Sequence, residues 1–593
     1  MTAAIDPDAL RAKYRAERDK RLRSDGNAQY RQPIGTLSTF LDDPNATDDG
    51  RPPVHDHVDA VIIGGGFSGL LAGVRLREAG LERIRIIETG RDVGGTWYWN
   101  RYPGVQCDIE SYIYLPLLEQ IGAMPSEKYA HGDEILDHSR AIATKWDLYR
   151  DALFGTHVER MEWQGDRWSV HTDRGDAMTA TYVVCAIGPL SRLKLPGIEG
   201  IESFEGHAFH TSRWDFSYTG GDSTGNLTGL TDKRVGIIGT GATSIQCIPH
   251  LGRWAEQLYV FQRTPSSVDV RGNRPTDPTW AASLAPGWQQ ERIDNFGILV
   301  SGGYAEVDLV SDGWTDIIRR LTSLGMAEMI AKGMGPEEIT AQMELIDFEK
   351  MEEIRARVDA FVDDPATADA LKPWYRQFCK RPCFNDDYLP TFNRDNVTLV
   401  DTGGRGVERI TPKGVVVDGI EYELDCLIFG TGFEVGTDYV ARAGFDLVGE
   451  DGTTLSDKWG RQVATFQGLI SHGFPNCFFM GGVQSGVSPN FTELYNEQSI
   501  HLGHIVGEAR RRGATVIATT AEAEADWVAT IRASDMSRAD FQAECTPGYY
   551  NNEGRPGEGP GWFGGNYGGG AQAFFTLLRD WRAAGTMDGL DLR

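Results

Sequence analysis

The sequence predicts an α/β protein built from two Rossmann-like dinucleotide-binding domains, one for FAD and one for NADPH, with a helical insertion. Three features of the chain predict it. An apolar run that ends in glycines and continues with helical periodicity occurs twice, at residues 59–79 and from 234 onward. Residues 276–373 are polar and helical in pattern and lack apolar strand runs. Strand-like runs then resume near Val397 and at 424–429.

In chain order, residues 1–55 form an N-terminal extension: a helix from Pro7 to about Arg23, capped by Asp6, then a Pro-, Asp- and Gly-rich linker. Leu10, Tyr14 and Leu22 are its few apolar anchors, which leaves docking and a solvated arm both open. The FAD-binding domain takes residues 56–188 and the NADPH-binding domain residues 189–275. The helical insertion spans 276–370, the second part of the NADPH domain 371–424, and the rest of the FAD domain with the tail 425–593. The Gly- and Asn-dense stretch 548–570 reads as loop.

The first glycine turn reads Gly64-Gly65-Gly66-Phe67-Ser68-Gly69, between the strand 59–63 and the helix 70–79, and the next strand, 84–87, ends at Glu88. Gly64 makes the turn, Gly66 lets the backbone approach a pyrophosphate, and Gly69 brings helix and strand together. The helix N-terminus offers unpaired N–H groups to the phosphates. Glu88 suits a ribose diol, as in FAD or NAD, and repels a 2′-phosphate; with the second site read as NADPH below, this one is assigned to FAD.

The second turn, Gly239-Thr240-Gly241-Ala242-Thr243-Ser244, carries Ser in place of the third glycine, and Gln246 lies further along the same helix. The following strand, 257–261, ends in Gln262-Arg263-Thr264 with no acid where the first unit has Glu88. A guanidinium there pairs with a 2′-phosphate, so this site is assigned to NADPH, with Arg263 and Thr264 as contacts.

Composition narrows the partners. With 593 residues and a net charge of −27, from 85 acidic against 58 basic side chains, nucleic acid and anionic membranes are disfavoured. The longest uncharged apolar stretch, 60–74, carries five glycines and is too short to span a bilayer. The N-terminus has no apolar segment of a secretory signal, and a cytoplasmic protein is expected. Eight scattered cysteines without a CxxC suggest neither a disulfide framework nor a zinc site, and reduced thiols are expected. Oligomeric state is open.

Between the two units lies Phe204-Glu205-Gly206-His207-Ala208-Phe209-His210-Thr211-Ser212-Arg213-Trp214-Asp215. This resembles the FxGxxxHxxxW(P/D) fingerprint of type I Baeyer-Villiger monooxygenases, matched at Phe204, Gly206, His210, Trp214 and Asp215. A second stretch similar to that family runs from Gly94 through Gly95, Thr96, Trp97, Arg101 and Gln106 to Asp108. The resemblance covers about residues 56–500. The long extension and the segment Cys545-Thr-Pro-Gly-Tyr-Tyr-Asn-Asn-Glu are similar to the branch that accepts bulky cyclic and steroid ketones.

The resemblance implies insertion of one atom of O2 beside a ketone carbonyl through a C4a-peroxyflavin, giving an ester or lactone. Arg381 then supplies the fixed cation at the reacting centre, and Asp108 orients it beside the flavin. Gly95, Thr96, Trp97, Gln106, Tyr114, Val158 and Phe491 join the FAD contacts, and Lys380 joins Arg263 at the 2′-phosphate. His210 is expected to serve in an interdomain hinge rather than as an acid or base. The nearest match to the family's tail motif over the substrate is Trp562-Phe563-Gly564-Gly565-Asn566, with altered spacing and no assigned role. Alternatives are an N- or S-oxygenating flavin monooxygenase, a pyridine-nucleotide disulfide reductase using Cys379 and Cys383, and a non-enzymatic flavin-binding redox sensor.

Overall fold

In the first unit the strand His57–Ile63 runs parallel to Ile84–Glu88 on one side and Ala177–Cys185 on the other, in register Ala60↔Ile84 and Ile63↔Cys185. A strand covered on both faces needs a near-continuous apolar run, which Ala60–Ile63 supplies in place of strict alternation. The description comes from a computed structural model and covers residues 5–46, 50–322, 329–435, 438–534, 539–556 and 565–593. An antiparallel meander, Val158–Trp163, Trp168–Thr172 and Ala177–Cys185, extends this sheet. Two late segments return to it: Cys477–Phe479 pairs with Ala177–Cys185, and Asp446–Val448 with Val158–Trp163. The helix Phe491–Arg511 packs on Phe67–Glu78, the helix that follows the first glycine turn.

The second sheet is parallel throughout, in the order Val397–Asp401, Gln257–Gln262, Arg234–Ile238, Cys426–Phe429, His207–His210. The strand Cys426–Phe429 therefore pairs with Arg234–Ile238 and lies in the second unit, whereas the sequence division at 424 assigns it to the first. A run of four buried apolar residues serves either sheet equally well, and only the pairing decides between them. Helices Pro278–Ser283, Trp288–Val300, Gly313–Thr322, Pro336–Phe361 and Pro365–Leu371 fill the interval between Gln257–Gln262 and Val397–Asp401.

The extension is docked. Its helix Pro7–Asp19 is capped by Asp6, whose carboxylate accepts from the Asp8 and Ala9 N–H groups. Tyr14 is buried edge-on against Phe348 at 5.6 Å and accepts a 3.0 Å hydrogen bond from Arg355, and Arg11 pairs with Glu344. Leu22 remains exposed, so the anchoring is aromatic and ionic more than aliphatic. The cysteine expectation needs correcting: Cys379 is disulfide-bonded to Cys545, 166 residues away, and six other cysteines are buried free thiols. No local spacing reports a pairing over that distance. Among the described residues no helix is long and apolar enough to cross a membrane.

Candidate functional site

Both glycine turns end in helices whose N-termini lack a side-chain cap, at Gly66 and Gly241, in contrast to the Asp-capped helices at Asp6, Asp277 and Asp364. Open N–H groups at a helix start suit a pyrophosphate. At the first turn Gly64 takes a left-handed φ of +106°, and a Cβ on Gly69 would lie 1.9 Å from the Gly64 carbonyl oxygen. That is the close helix–strand approach expected of the third glycine. Glu88 is buried, accepting from Gly65 N–H at 2.6 Å, Gly90 N–H at 2.7 Å and the Thr89 hydroxyl. These bonds pin the carboxylate at the strand end, and further lone pairs remain for a diol.

The other expected FAD residues converge around this turn. Gly95 packs on Gly66, where a Cβ would come within 2.7 Å of the Gly66 Cα. Thr96 and Trp97 open the short helix Thr96–Trp99. Trp97 donates to the Tyr114 hydroxyl at 3.1 Å, and the Phe67 ring meets Tyr114 edge-on at 5.9 Å. Phe491 starts a helix tied to the same place by a bond from the Thr492 hydroxyl to the Tyr114 carbonyl. Val158 is buried in the same apolar cluster as Ile87. The Ser68 hydroxyl is buried with no hydrogen-bond partner among the described residues, which fits a polar ligand at this turn.

At the second turn Gly239 has φ +109°, and a Cβ on Gly241 would meet nothing within 4 Å. The space above Gly241 fits a phosphate approaching the backbone. Thr240 donates to the Thr264 carbonyl at 2.9 Å, and the buried hydroxyls of Ser244 and Thr264 lack partners among the described residues. Ala242 and Thr243 form the first turn of the following helix.

Arg263 and Lys380 do meet, with company not foreseen. Arg263 donates to Gln29 at 2.6 Å and pairs with Glu553 at 3.3 Å. Glu553 also accepts from the Tyr30 hydroxyl at 2.9 Å and lies 3.7 Å from Lys194, whose ammonium sits 3.6 Å over the Tyr30 ring. Among the described residues Lys380 has one hydrogen bond, a long one of 3.5 Å to the Pro547 carbonyl. Burial, and then the neighbouring Arg263 charge, pull its pKa down to about 8.

Where the reacting centre is expected, a buried carboxylate lies between two guanidiniums. Asp108 contacts Arg381 through Oδ2 at 3.2 Å, and its Oδ1 accepts from Arg271. Arg271 is spent within the fold: its side chain is 4% exposed, it donates at 3.0 Å to the Phe384 carbonyl and at 2.6 Å to Gln106 Oε1. Arg381 is different, with 37% of its side chain exposed. Burial opposes its charge, yet Asp108 keeps its pKa above the ordinary value. Phe378, three residues before it, has a left-handed φ of +65°, a strained backbone of the kind found at functional sites.

Gln246 joins the two units. Its amide oxygen accepts from the Tyr102 hydroxyl at 2.8 Å, and its NH2 donates to the Gln106 carbonyl at 2.9 Å and toward Asp108 at 3.4 Å. Sequence reasoning missed Arg271 and Glu553, since neither lies in a motif. His210 is wholly buried, its Nδ1 hydrogen-bonded to Ser212 at 2.8 Å, and burial lowers its pKa to about 3. This neutral histidine ends the strand His207–His210, where it pairs with Phe429 of the second sheet. Cys383 is a buried thiol and Cys379 is bonded elsewhere, so the CxxxC pair is no redox couple. Trp562, Phe563 and Gly564 lie outside the described residues.

Residues 61–224 match the family model of pyridine nucleotide-disulphide oxidoreductases, which covers the first glycine turn and the linker. The chain is 54% identical to the neopentalenolactone D synthase of Streptomyces avermitilis over 99% of its own length and 100% of that protein's. It is 51% identical to a Baeyer-Villiger monooxygenase of Streptomyces coelicolor, over 98% and 96% of the two chains. Among solved structures, the polycyclic ketone monooxygenase of the fungus Thermothelomyces thermophila superimposes with a TM-score of 0.90 at 38% identity, covering 99% of both chains.

Proposed function

The chain belongs to the Baeyer-Villiger monooxygenase family, and from that premise we propose that it converts bulky polycyclic ketones to lactones with FAD, NADPH and O2. The overall change balances as ketone, O2, NADPH and a proton giving lactone, water and NADP+. Bound FAD, reduced by NADPH, supplies activated oxygen. FAD is assigned to the Gly64–Gly69 turn with Glu88 on its ribose, and NADPH to the Gly239–Ser244 turn with Arg263 and Lys380 toward the 2′-phosphate.

The observation that carries the reading is the asymmetry of the two arginines. Arg271 is buried and bonded to Asp108, Gln106 and the Phe384 carbonyl, whereas Arg381 contacts Asp108 with 37% of its side chain exposed, so its positive charge can be offered to a substrate. That cation stabilises negative charge as it develops on the carbonyl oxygen, in a site where its charge is worth more than in water. Asp108 sets the guanidinium's position without sharing in bond making. Gln246 fixes the first unit's 102–108 loop against the second unit's helix, which keeps the two cofactor sites in register.

The polycyclic preference is supported by the 99% coverage shared with the polycyclic ketone monooxygenase. The test is conversion of a fused-ring ketone by the FAD-loaded protein with NADPH and isotopically labelled O2. Labelled lactone is expected. Arg381→Ala should lower lactone formation about 10²–10³-fold while NADPH oxidation continues and yields hydrogen peroxide. Unchanged lactone formation by that variant, or oxidation of sulfides and amines with none of ketones, would overturn the reading.

A further inference from the structure

The pocket that gathers Arg263, Lys194 and Lys380 contains one carboxylate from a distant part of the chain. Glu553 is 3% exposed and belongs to the tail turn Tyr549–Gly554, yet it meets Arg263 at 3.3 Å, Lys194 at 3.7 Å and the Tyr30 hydroxyl at 2.9 Å. Three cations face Glu553, and Lys194 also feels Glu434, which itself pairs with Arg192 at 3.7 Å, so the cations outnumber the carboxylates. The cluster is thus built for more anion than Glu553 brings, which a dianionic phosphate would supply.

The backbone carries the same message. Asn552 and Glu553 both adopt left-handed φ, +51° and +56°, a conformation that L side chains other than glycine rarely take. The surroundings hold the turn: Asn551 Oδ1 accepts from the Gly548 and Gly554 N–H groups, Asn552 bonds to Asn27, and Glu553 meets the cations and Tyr30. The turn is anchored at its start by the Cys379–Cys545 bond, next to Lys380 and Arg381. Tyr549 and Tyr550 lie within electrostatic reach of Arg381. The turn is held by the disulfide, by hydrogen bonds of Asn552 and Arg555 to Asn27 and Ser24 in the extension, and by the charge pairing at Glu553, and an incoming anion competes only for the last of these.

We propose that Glu553 is a resident stand-in for the 2′-phosphate of NADPH, seating the 546–556 tail turn on the cofactor cleft until the dianion displaces it. The proposal rests on the reading of Arg263 and Lys380 as the 2′-phosphate site. It deepens that reading by making cofactor entry and tail release one event. NADH, which brings a neutral diol to this position, leaves Glu553 in place and the tail seated. The tail thereby reports which nucleotide has entered before the ketone is engaged.

The test uses the FAD-loaded protein with NADP+ and NAD+ as probes. Glu553→Gln removes the competing charge and keeps the side chain's shape, so NADP+ should bind about ten- to a hundredfold more tightly if the seated tail outweighs the released one by roughly that factor. NAD+ affinity should not change. Backbone hydrogen exchange in residues 549–556 of the unsubstituted protein should accelerate when NADP+ is added and stay constant with NAD+. Weaker or unchanged NADP+ binding in Glu553→Gln, or a tail more protected with NADP+, overturns the proposal. Arg263→Ala separates the two claims: if it leaves the preference for NADP+ over NAD+ intact, the 2′-phosphate reading itself is wrong. If that preference falls while Glu553→Gln binds no tighter, only the stand-in role fails.

Discussion

Raising the pH through Lys380's titration should weaken NADP+ binding with a slope that can be worked out in advance. The free protein holds this ammonium at a pKa of about 8, because burial and the adjacent Arg263 disfavour its charge. A bound 2′-phosphate favours the charge and returns the pKa toward its ordinary value or above. The protonated form is the binding form, so affinity is flat below about pH 8 and falls above it, and binding in that upper range takes up a proton. Well above about pH 8 each pH unit costs ~1.4 kcal/mol, so the Kd should rise roughly twenty- to twenty-five-fold between about pH 7.5 and about pH 9.5.

The other groups facing Lys380 limit the interpretation in known ways. Arg263 keeps its charge and Glu553 stays ionised over this range, and the Cys383 thiol is pushed up to about 12. Lys194, also lowered by burial, steepens the slope if it contacts the phosphate. The assay is a fluorescence titration of the FAD-loaded protein with NADP+ and with NAD+ at stepped pH, repeated on Lys380→Arg. NAD+ binding should be flat, and the arginine variant should lose most of the slope. A parallel fall for NAD+, or an unchanged slope in Lys380→Arg, would refute the argument.

Gly241→Ala should fold and retain FAD, since its Cβ meets nothing within 4 Å, yet weaken NADP+ by about tenfold or more if a pyrophosphate occupies that space; spectra and titration report both. Gly69→Ala, whose Cβ would sit 1.9 Å from a carbonyl oxygen, should purify with little flavin. Asp108→Asn leaves Arg271 buried without a counter-ion, and should destabilise the holoprotein by about 3–5 kcal/mol in denaturant unfolding. Because His210 stays neutral down to about pH 3, kcat should show no titration attributable to it between about pH 5 and about pH 8, and a pH profile of His210→Asn parallel to the parent's is expected.

What could be read from sequence was local. Each glycine turn announces its strand, its helix and the acid or arginine after it within about 25 residues, because one βαβ unit satisfies its own geometry. Arg381, Asp108 and the linker's Trp214 were legible through a family likeness, and the structure brings the first two to 3.2 Å. Arg271 was not legible: it donates to Asp108, 163 positions earlier, and nothing near residue 271 marks that contact. Glu553 meets Arg263 from 290 positions away, and Cys545 finds Cys379 across 166. Strand Cys426–Phe429 was found but placed in the wrong sheet, since apolarity reveals burial and says nothing about which neighbour does the burying.

The docked N-terminal extension has a practical consequence. Arg21 donates to the Arg263 carbonyl, Gln29 accepts from the Arg263 guanidinium, and Tyr30 hydrogen-bonds to Glu553, so residues early in the chain form a wall of the pocket assigned to the nucleotide. If Arg263 and Lys380 hold the 2′-phosphate as proposed, trimming the amino end, or fusing a bulky tag close to the helix Pro7–Asp19, becomes an edit to coenzyme recognition, and positions 21, 29 and 30 belong beside 263 and 380 in variant libraries aimed at altered coenzyme preference.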